Sequence, residues 1–199
     1  MSIEEWLKTT EPEQQFEPGT VTSYSNWGTT LAAFIVSLVS GQPYEVYVKE
    51  NIYEPLGMDH TSIMPDASDN KWVCEKRKEL KTYSADLSGE ILSCGAYYCY
   101  CYPVGACMST MADMQKFAQA LLSDDSPLFE KKETRAEMLS PSNFYGDTDI
   151  GSNYHGFWQY PIYSGTVIGH EGGTVGCSST LRFDLDKGLC IAVMVNQHE

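Results

Sequence analysis

Near Asn153 the apolar pattern of this chain changes period. Before that point Met111, Met114, Phe117, Ala118, Leu121 and Leu122 recur every three or four residues, which places them on one face of an α-helix. After it, residues 154–160, 166–170, 176–184 and 189–196 read as strands, and Asp184-Leu185-Asp186-Lys187-Gly188 joins the last two as a hairpin. Strands gathered at one end and helices at the other make an α+β pattern, with an antiparallel sheet. The expected division is a mainly helical lobe over 1–140 and a C-terminal antiparallel sheet over 141–199, together one domain.

The helical part carries its own punctuation. Ser2 with Glu5 three residues on is a capping box, so a short helix over 3–8 is expected, anchored by Trp6 and Leu7. Residues 26–40 are apolar on most sides and predict a buried helix. Gly41 ends it, and Pro43 opens the next, which runs to about residue 52. Residues 82–94 predict a β-hairpin turning at Leu87-Ser88-Gly89-Glu90, and the Tyr/Cys run 97–102 an irregular wall. Thr110 and Asp113 should cap the helix that follows, and 130–139 should form a more polar surface helix.

Chemistry enters at Pro18-Gly19-Thr20-Val21-Thr22-Ser23-Tyr24-Ser25-Asn26. A turn leads into a short extended piece, and Ser25 or Asn26 can cap the helix beyond. Tyr24 and Asn26 are then expected to point the same way. A phenol can shuttle a proton, and a carboxamide can hold a substrate amide. A tyrosine packed beside a helix cap would give the same letters.

Three further segments follow: Glu54-Pro55-Leu56-Gly57-Met58-Asp59-His60-Thr61, Gly105-Ala106-Cys107-Met108-Ser109-Thr110, and Gly169-His170-Glu171-Gly172-Gly173. In this order and spacing the chain resembles the serine β-lactamase-related hydrolases, a family of class C β-lactamases, D-alanyl-D-alanine peptidases, D-aminopeptidases and esterases. Tyr24-Ser25-Asn26 matches the Y-x-N motif. His170-Glu171-Gly172 matches the third motif, K-T-G in lactamases and H-x-G in many relatives. The resemblance implies a β-lactamase/transpeptidase-like fold. It gives Tyr24 the role of base or proton relay, and Asn26 that of holding the substrate carbonyl. His170 would bind the tyrosine hydroxyl or a substrate carboxylate. Gly172 and Gly173 would let substrate approach the strand, with the Gly173 N–H as half of an oxyanion hole. A histidine in place of the lysine is closer to esterase- and peptidase-type members than to class C lactamases.

The family's first motif, S-x-x-K, lies upstream of Y-x-N, and none of the serines before Tyr24 has a lysine three on. Ser68-Asp69-Asn70-Lys71 has the letters but falls after Y-x-N in a polar run, where a loop is expected. A nucleophilic serine needs a rigid helix start. The chain is therefore expected to be the C-terminal part of a serine hydrolase, or a truncated copy, inactive alone. A non-catalytic paralogue binding peptidoglycan-like or D-amino-acyl ligands, and a module with a vestigial pocket, are the alternatives.

A net charge of −14 argues against nucleic acid and anionic membranes as partners; the resemblance implies a small-molecule or peptide substrate. The apolar stretch 31–39 is too short to span a bilayer, and the first five residues are no signal peptide. The compartment is left open. Seven cysteines, with Cys94, Cys99, Cys101 and Cys107 close together, lack a C-x-x-C pair and are expected to be thiols rather than a metal site. No cofactor is implied. The strand 189–195 is apolar and uncharged. In the family it has a neighbour from the N-terminal part, so a homodimer through that edge is expected.

Overall fold

The computed structural model describes residues 1–95, 101–161 and 164–198; most of the Tyr/Cys run, with Cys99, lies outside them. The chain forms two compact units, Met1–Leu80 with Ala96–Asp113, and Lys81–Gly95 with Met114–Glu199.

The first unit is helical. α1 (Ile3–Thr9) starts in the predicted capping box: the Ser2 hydroxyl accepts from the Glu5 N–H, and the Glu5 carboxylate accepts from the Ser2 N–H at 2.8 Å. The Trp27 indole N–H donates to the Leu7 carbonyl at 3.1 Å and ties α1 to α2 (Asn26–Ser40). Ser25 caps α2, and Gly41, at φ 71°, ends it in the left-handed conformation that glycine adopts without a Cβ clash. α2 is less enclosed than its composition predicts. Thr30 and Ala33, three apart on one face, are buried, whereas Leu38 and Val39 near the C-terminal end are 66% and 83% exposed. α3 (Tyr44–Val48) continues through a π-turn at Lys49–Tyr53 into α4 (Glu54–Leu56), so the helical path outruns the expected residue 52. α5 (Lys71–Lys76) is capped by Asn70.

Among the described residues, every strand belongs to the second unit. β1 (Thr82–Ala85) and β2 (Ile91–Cys94) form the predicted hairpin. α6 (Met111–Leu122) begins in the first unit and ends in the second; α7 (Lys132–Met138) follows. Arg135 on α7 donates to the Leu121 and Leu122 carbonyls at 2.8 and 2.6 Å, satisfying acceptors that the end of α6 leaves open. A six-stranded antiparallel sheet comes next, in sequential order: β3 (Asn143–Phe144), β4 (Gly151–Tyr154), β5 (Phe157–Gln159), β6 (Val167–Thr174), β7 (Cys177–Asp184) and β8 (Leu189–Val195). β9 (Gln197–His198) leaves it to pair in parallel with β1. The helices and antiparallel sheet match the α+β expectation. The single strand expected over 154–160 is two, because His155 and Gly156 both take positive φ and make a two-residue hairpin turn.

The core of this unit lies between α6 and one face of the sheet. Ala118 and Leu121, from the predicted helical stripe, pack with Tyr154, Ile168 and Phe183. Ile168 and Phe183 are cross-strand partners, and the Phe157 ring meets Phe183 edge-on at 5.6 Å.

Candidate active site

Tyr24 and Asn26 are brought together in the first unit. The extended chain before α2 and the Ser25 cap place them on either side of one residue, and the Tyr24 hydroxyl donates to Asn26 Oδ1 at 2.6 Å. Side chains two apart in extended backbone share a side, which is why the pair meets. Tyr24 is 58% exposed, so its phenol is accessible. With Oδ1 accepting from Tyr24, the Asn26 NH2 group supplies donors suited to a carbonyl oxygen. The main chain beneath is anchored by Thr30, which is fully buried and donates to the Asn26 carbonyl at 2.7 Å.

His170, Gly172 and Gly173 lie on β6 in the second unit. The strand is buried from Val167 to Gly169 and exposed from Glu171 to Gly173, so the glycines present bare main chain. A Cβ on Gly172 would come within 2.6 Å of the Ser179 hydroxyl on β7. Gly169 is tighter still: a Cβ there would meet the Leu181 carbonyl at 2.1 Å. The His170 Nδ1 sits 2.6 Å from the Glu171 carbonyl oxygen. Glu171 turns to the opposite face and pairs with Arg182 at 2.5 Å, and the Arg182 guanidinium lies over the Tyr160 ring at 4.3 Å. Sequence reasoning passed over Arg182 and Tyr160. An arginine inside a strand, opposite a glycine that leaves it room, was the available signal.

The segment around Met58 and Thr61 is held by two carboxylates. Asp113, fully buried in the first turn of α6, accepts from the His60 N–H at 2.7 Å and the Thr61 hydroxyl at 3.0 Å, while its own N–H meets the predicted Thr110 cap. Asp69 accepts from the Ser62 hydroxyl and the Ile63 N–H. Ser68 is exposed in a turn, its N–H donating to Asp66, and not at a helix start. Tyr102 donates to Glu45 at 2.7 Å. Burial, with that carboxylate's charge added, pushes its phenol far above the ordinary range, and burial does the same to Tyr53, so both stay protonated. Cys94, Cys101 and Cys107 form no disulfide, and no three metal-binding side chains cluster among the described residues. Nor is any single described helix long and apolar enough to cross a membrane.

Comparison with known proteins gives a consistent pattern. A family model described as Beta-lactamase matches residues 2–199. A penicillin-binding protein of Bacillus subtilis (strain 168) is 27% identical over 192 residues, covering 92% of this chain and 42% of that protein. A beta-lactamase of Yersinia enterocolitica is 27% identical over 176 residues, 85% of this chain and 42% of its own length. Among solved structures, the octameric penicillin-binding protein homologue from Pyrococcus abyssi superposes with a TM-score of 0.79 at 24% identity, covering 98% of this chain and 44% of that one. The D-amino acid amidase from Ochrobactrum anthropi SV3 superposes with a TM-score of 0.71 at 26% identity, covering 92% and 52%. The chain thus spans less than half the length of the two curated relatives.

Proposed function

Because this chain belongs to the beta-lactamase family, we propose that it supplies the proton-relay and substrate-holding residues of a serine hydrolase acting on amide or ester bonds. The substrates are D-alanyl peptides, D-amino acid amides, β-lactams or esters. The observation that carries this reading is the hydrogen bond from the exposed Tyr24 hydroxyl to Asn26, at the start of a helix whose cap fixes both. In it Tyr24 relays the proton and Asn26 binds the substrate carbonyl. His170 holds a polar group of the substrate or the tyrosine hydroxyl, and the bare strand at Gly172 and Gly173 receives the substrate main chain. The Gly173 N–H stabilises the developing oxyanion. The acyl-enzyme step needs an S-x-x-K serine and lysine, which these 199 residues do not supply before Tyr24.

The 199-residue chain alone therefore binds ligand without forming an acyl-enzyme. Mass spectrometry after exposure to a penicillin or a fluorophosphonate should show no adduct; a stoichiometric adduct on any serine, Ser68 included, refutes this. Saturable binding of D-phenylalanine amide or a D-alanyl-D-alanine peptide, lost in Asn26→Ala, supports the site. Absence of any saturable binding refutes it.

Two chains are further proposed to associate through β8. It ends the six-stranded sheet and exposes Leu189, Ile191, Val193 and Val195 on one face.

A further inference from the structure

The turn that joins β6 to β7 lies against the β1–β2 hairpin. Val175 and Gly176 form it, between the paired Thr174 and Cys177, and Gly176 takes φ 74°. Thr82 and Cys94 are cross-strand partners on β1 and β2, so their side chains share a face. A Cβ on Gly176 would come within 2.7 Å of Thr82 Cβ and 3.2 Å of Cys94 Cβ. The main chain of the turn thus rests on the Thr82–Cys94 pair, and the next residue along it is a second cysteine, Cys177. Both cysteines are half-buried.

Hydrogen bonds hold the two segments in place around these cysteines. The Ser178 hydroxyl donates to the Gln197 carbonyl at 3.0 Å, the Tyr83 N–H to the Asn196 carbonyl at 2.9 Å, and the Asn196 amide to the Lys81 carbonyl at 2.9 Å. The neighbours of Cys177 and of Thr82 are thereby tied to one short stretch of chain. A disulfide needs Cβ atoms about 3.5–4.5 Å apart, and the position next to Cys177 already approaches Cys94 that closely. Burial, and then the charge of Cys94, raise the Cys177 thiol, so the two sulfurs lie within each other's electrostatic reach. The other described cysteine of this unit, Cys190, is opposite Phe183, far along β7 from Cys177 and on the order of 20 Å away.

We propose that Cys94 and Cys177, brought together where the β6–β7 turn rests on the β1–β2 hairpin, are a reversible thiol–disulfide pair that clamps the two segments. The oxidant is a small disulfide such as oxidised glutathione. The Cys94 thiolate attacks one of its sulfurs, forming a mixed disulfide and releasing one thiol. Cys177, the slower nucleophile, then gives its proton to solvent, and its sulfur displaces the second thiol from Cys94. The two protein thiols lose two electrons and two protons, and the small disulfide gains them as two thiols. The bridge closes the long loop between the two cysteines and so restricts the unfolded chain. It falls at the end of the strand that carries Gly172 and Gly173, and the redox state sets how firmly that end is held. The pairing does not depend on the substrate-binding reading of those glycines.

The test is to incubate the 199-residue chain with oxidised glutathione, alkylate the remaining thiols and digest with chymotrypsin, which separates Cys94 from the later cysteines by cutting after Tyr97 or Tyr98. Mass spectrometry without reduction should show a peptide pair joined through Cys94 and Cys177, lost after dithiothreitol. A bridge from either cysteine to a different one, or both left as thiols or glutathione adducts, overturns the pairing. Oxidation should raise the thermal midpoint by about 5–10 °C and leave that of Cys94→Ser unchanged. Cys177→Ser gives the same control should that variant fail to fold. Equal melting of the two redox states overturns the clamp.

Discussion

Tyr24 and Asn26 share one hydrogen bond across the residue that caps α2, and neither depends on the other for burial. A 58%-exposed phenol contributes little to folding. Tyr24→Phe is expected to change unfolding free energy by less than about 0.5 kcal/mol, while Ser25→Ala, which removes the cap, costs about 1 kcal/mol. Urea melts of the two variants separate them. A loss above about 2 kcal/mol in Tyr24→Phe would make the pair a structural tie and remove the case for a chemical role.

Asp113 is the reverse case, fully buried with two donors aimed at it. Asp113→Ala leaves the His60 N–H and the Thr61 hydroxyl without their acceptor and should cost about 2–4 kcal/mol. Asp113→Asn, which keeps one acceptor oxygen, should recover part of that. The exposed Asp124, paired with Arg135, should cost under about 1 kcal/mol on the same change to alanine. Equal losses at the two aspartates would contradict this ordering.

Gly169→Ala drives a methyl into the Leu181 carbonyl and the Arg182 main chain, and backbone on the neighbouring strand has no free rotamer to yield. A loss of about 2–4 kcal/mol is expected. Gly89, at φ 84° with open space around it, should cost only the left-handed penalty of about 1–2 kcal/mol. Thermal melts that rank Gly89→Ala as the worse substitution would refute the packing argument.

The β1–β2 turn should respond to acid. The Asp86 carboxyl is held below the ordinary carboxylate range, first by the Ser88 hydroxyl and then by the Glu90 and Ser88 N–H groups. A depressed folded value means that its contribution is complete above the unfolded pKa of about 3.9 and is lost as pH falls through the lower folded value. Protection of the Ser88 and Glu90 amides, taken relative to their intrinsic exchange rates at each pH, should fall in that acid window and stay flat in Asp86→Asn. A wild-type hairpin insensitive to pH there would disprove the link.

Sedimentation at micromolar concentration tests the association through β8. A dimer is expected, dissociated by Val193→Lys, which puts a charge on the strand's exposed apolar face. A monomer unaffected by the substitution sinks the proposal.

Much of the fold is local and was therefore legible in the sequence. The Ser2 box, the Gly41 stop, the hairpin of residues 82–94 and the Thr110 cap each depend on residues within a few positions. The α6 stripe was readable because a helix repeats its face every turn. What escaped was set by partners far away in sequence. The turn at His155 needs two positive φ values that histidine does not advertise. The exposure of Leu38 and Val39 depends on what packs beside α2 and not on their own apolarity. At the site, Tyr24 and Asn26 could be paired from spacing alone, whereas the support behind Glu171 required the β6–β7 register before Arg182 could be placed.

The pairing of β9 with β1 sets an order of events during synthesis. Tyr83 donates to the carbonyl of Asn196, whose side chain reaches back to Lys81, 115 positions earlier. The β1–β2 hairpin can close as soon as residue 94 leaves the ribosome, but its third strand is not yet made. A two-stranded hairpin is marginal in water. It must therefore wait as an open edge while the six-stranded sheet is translated, and a stall or cleavage before residue 196 would strand it there.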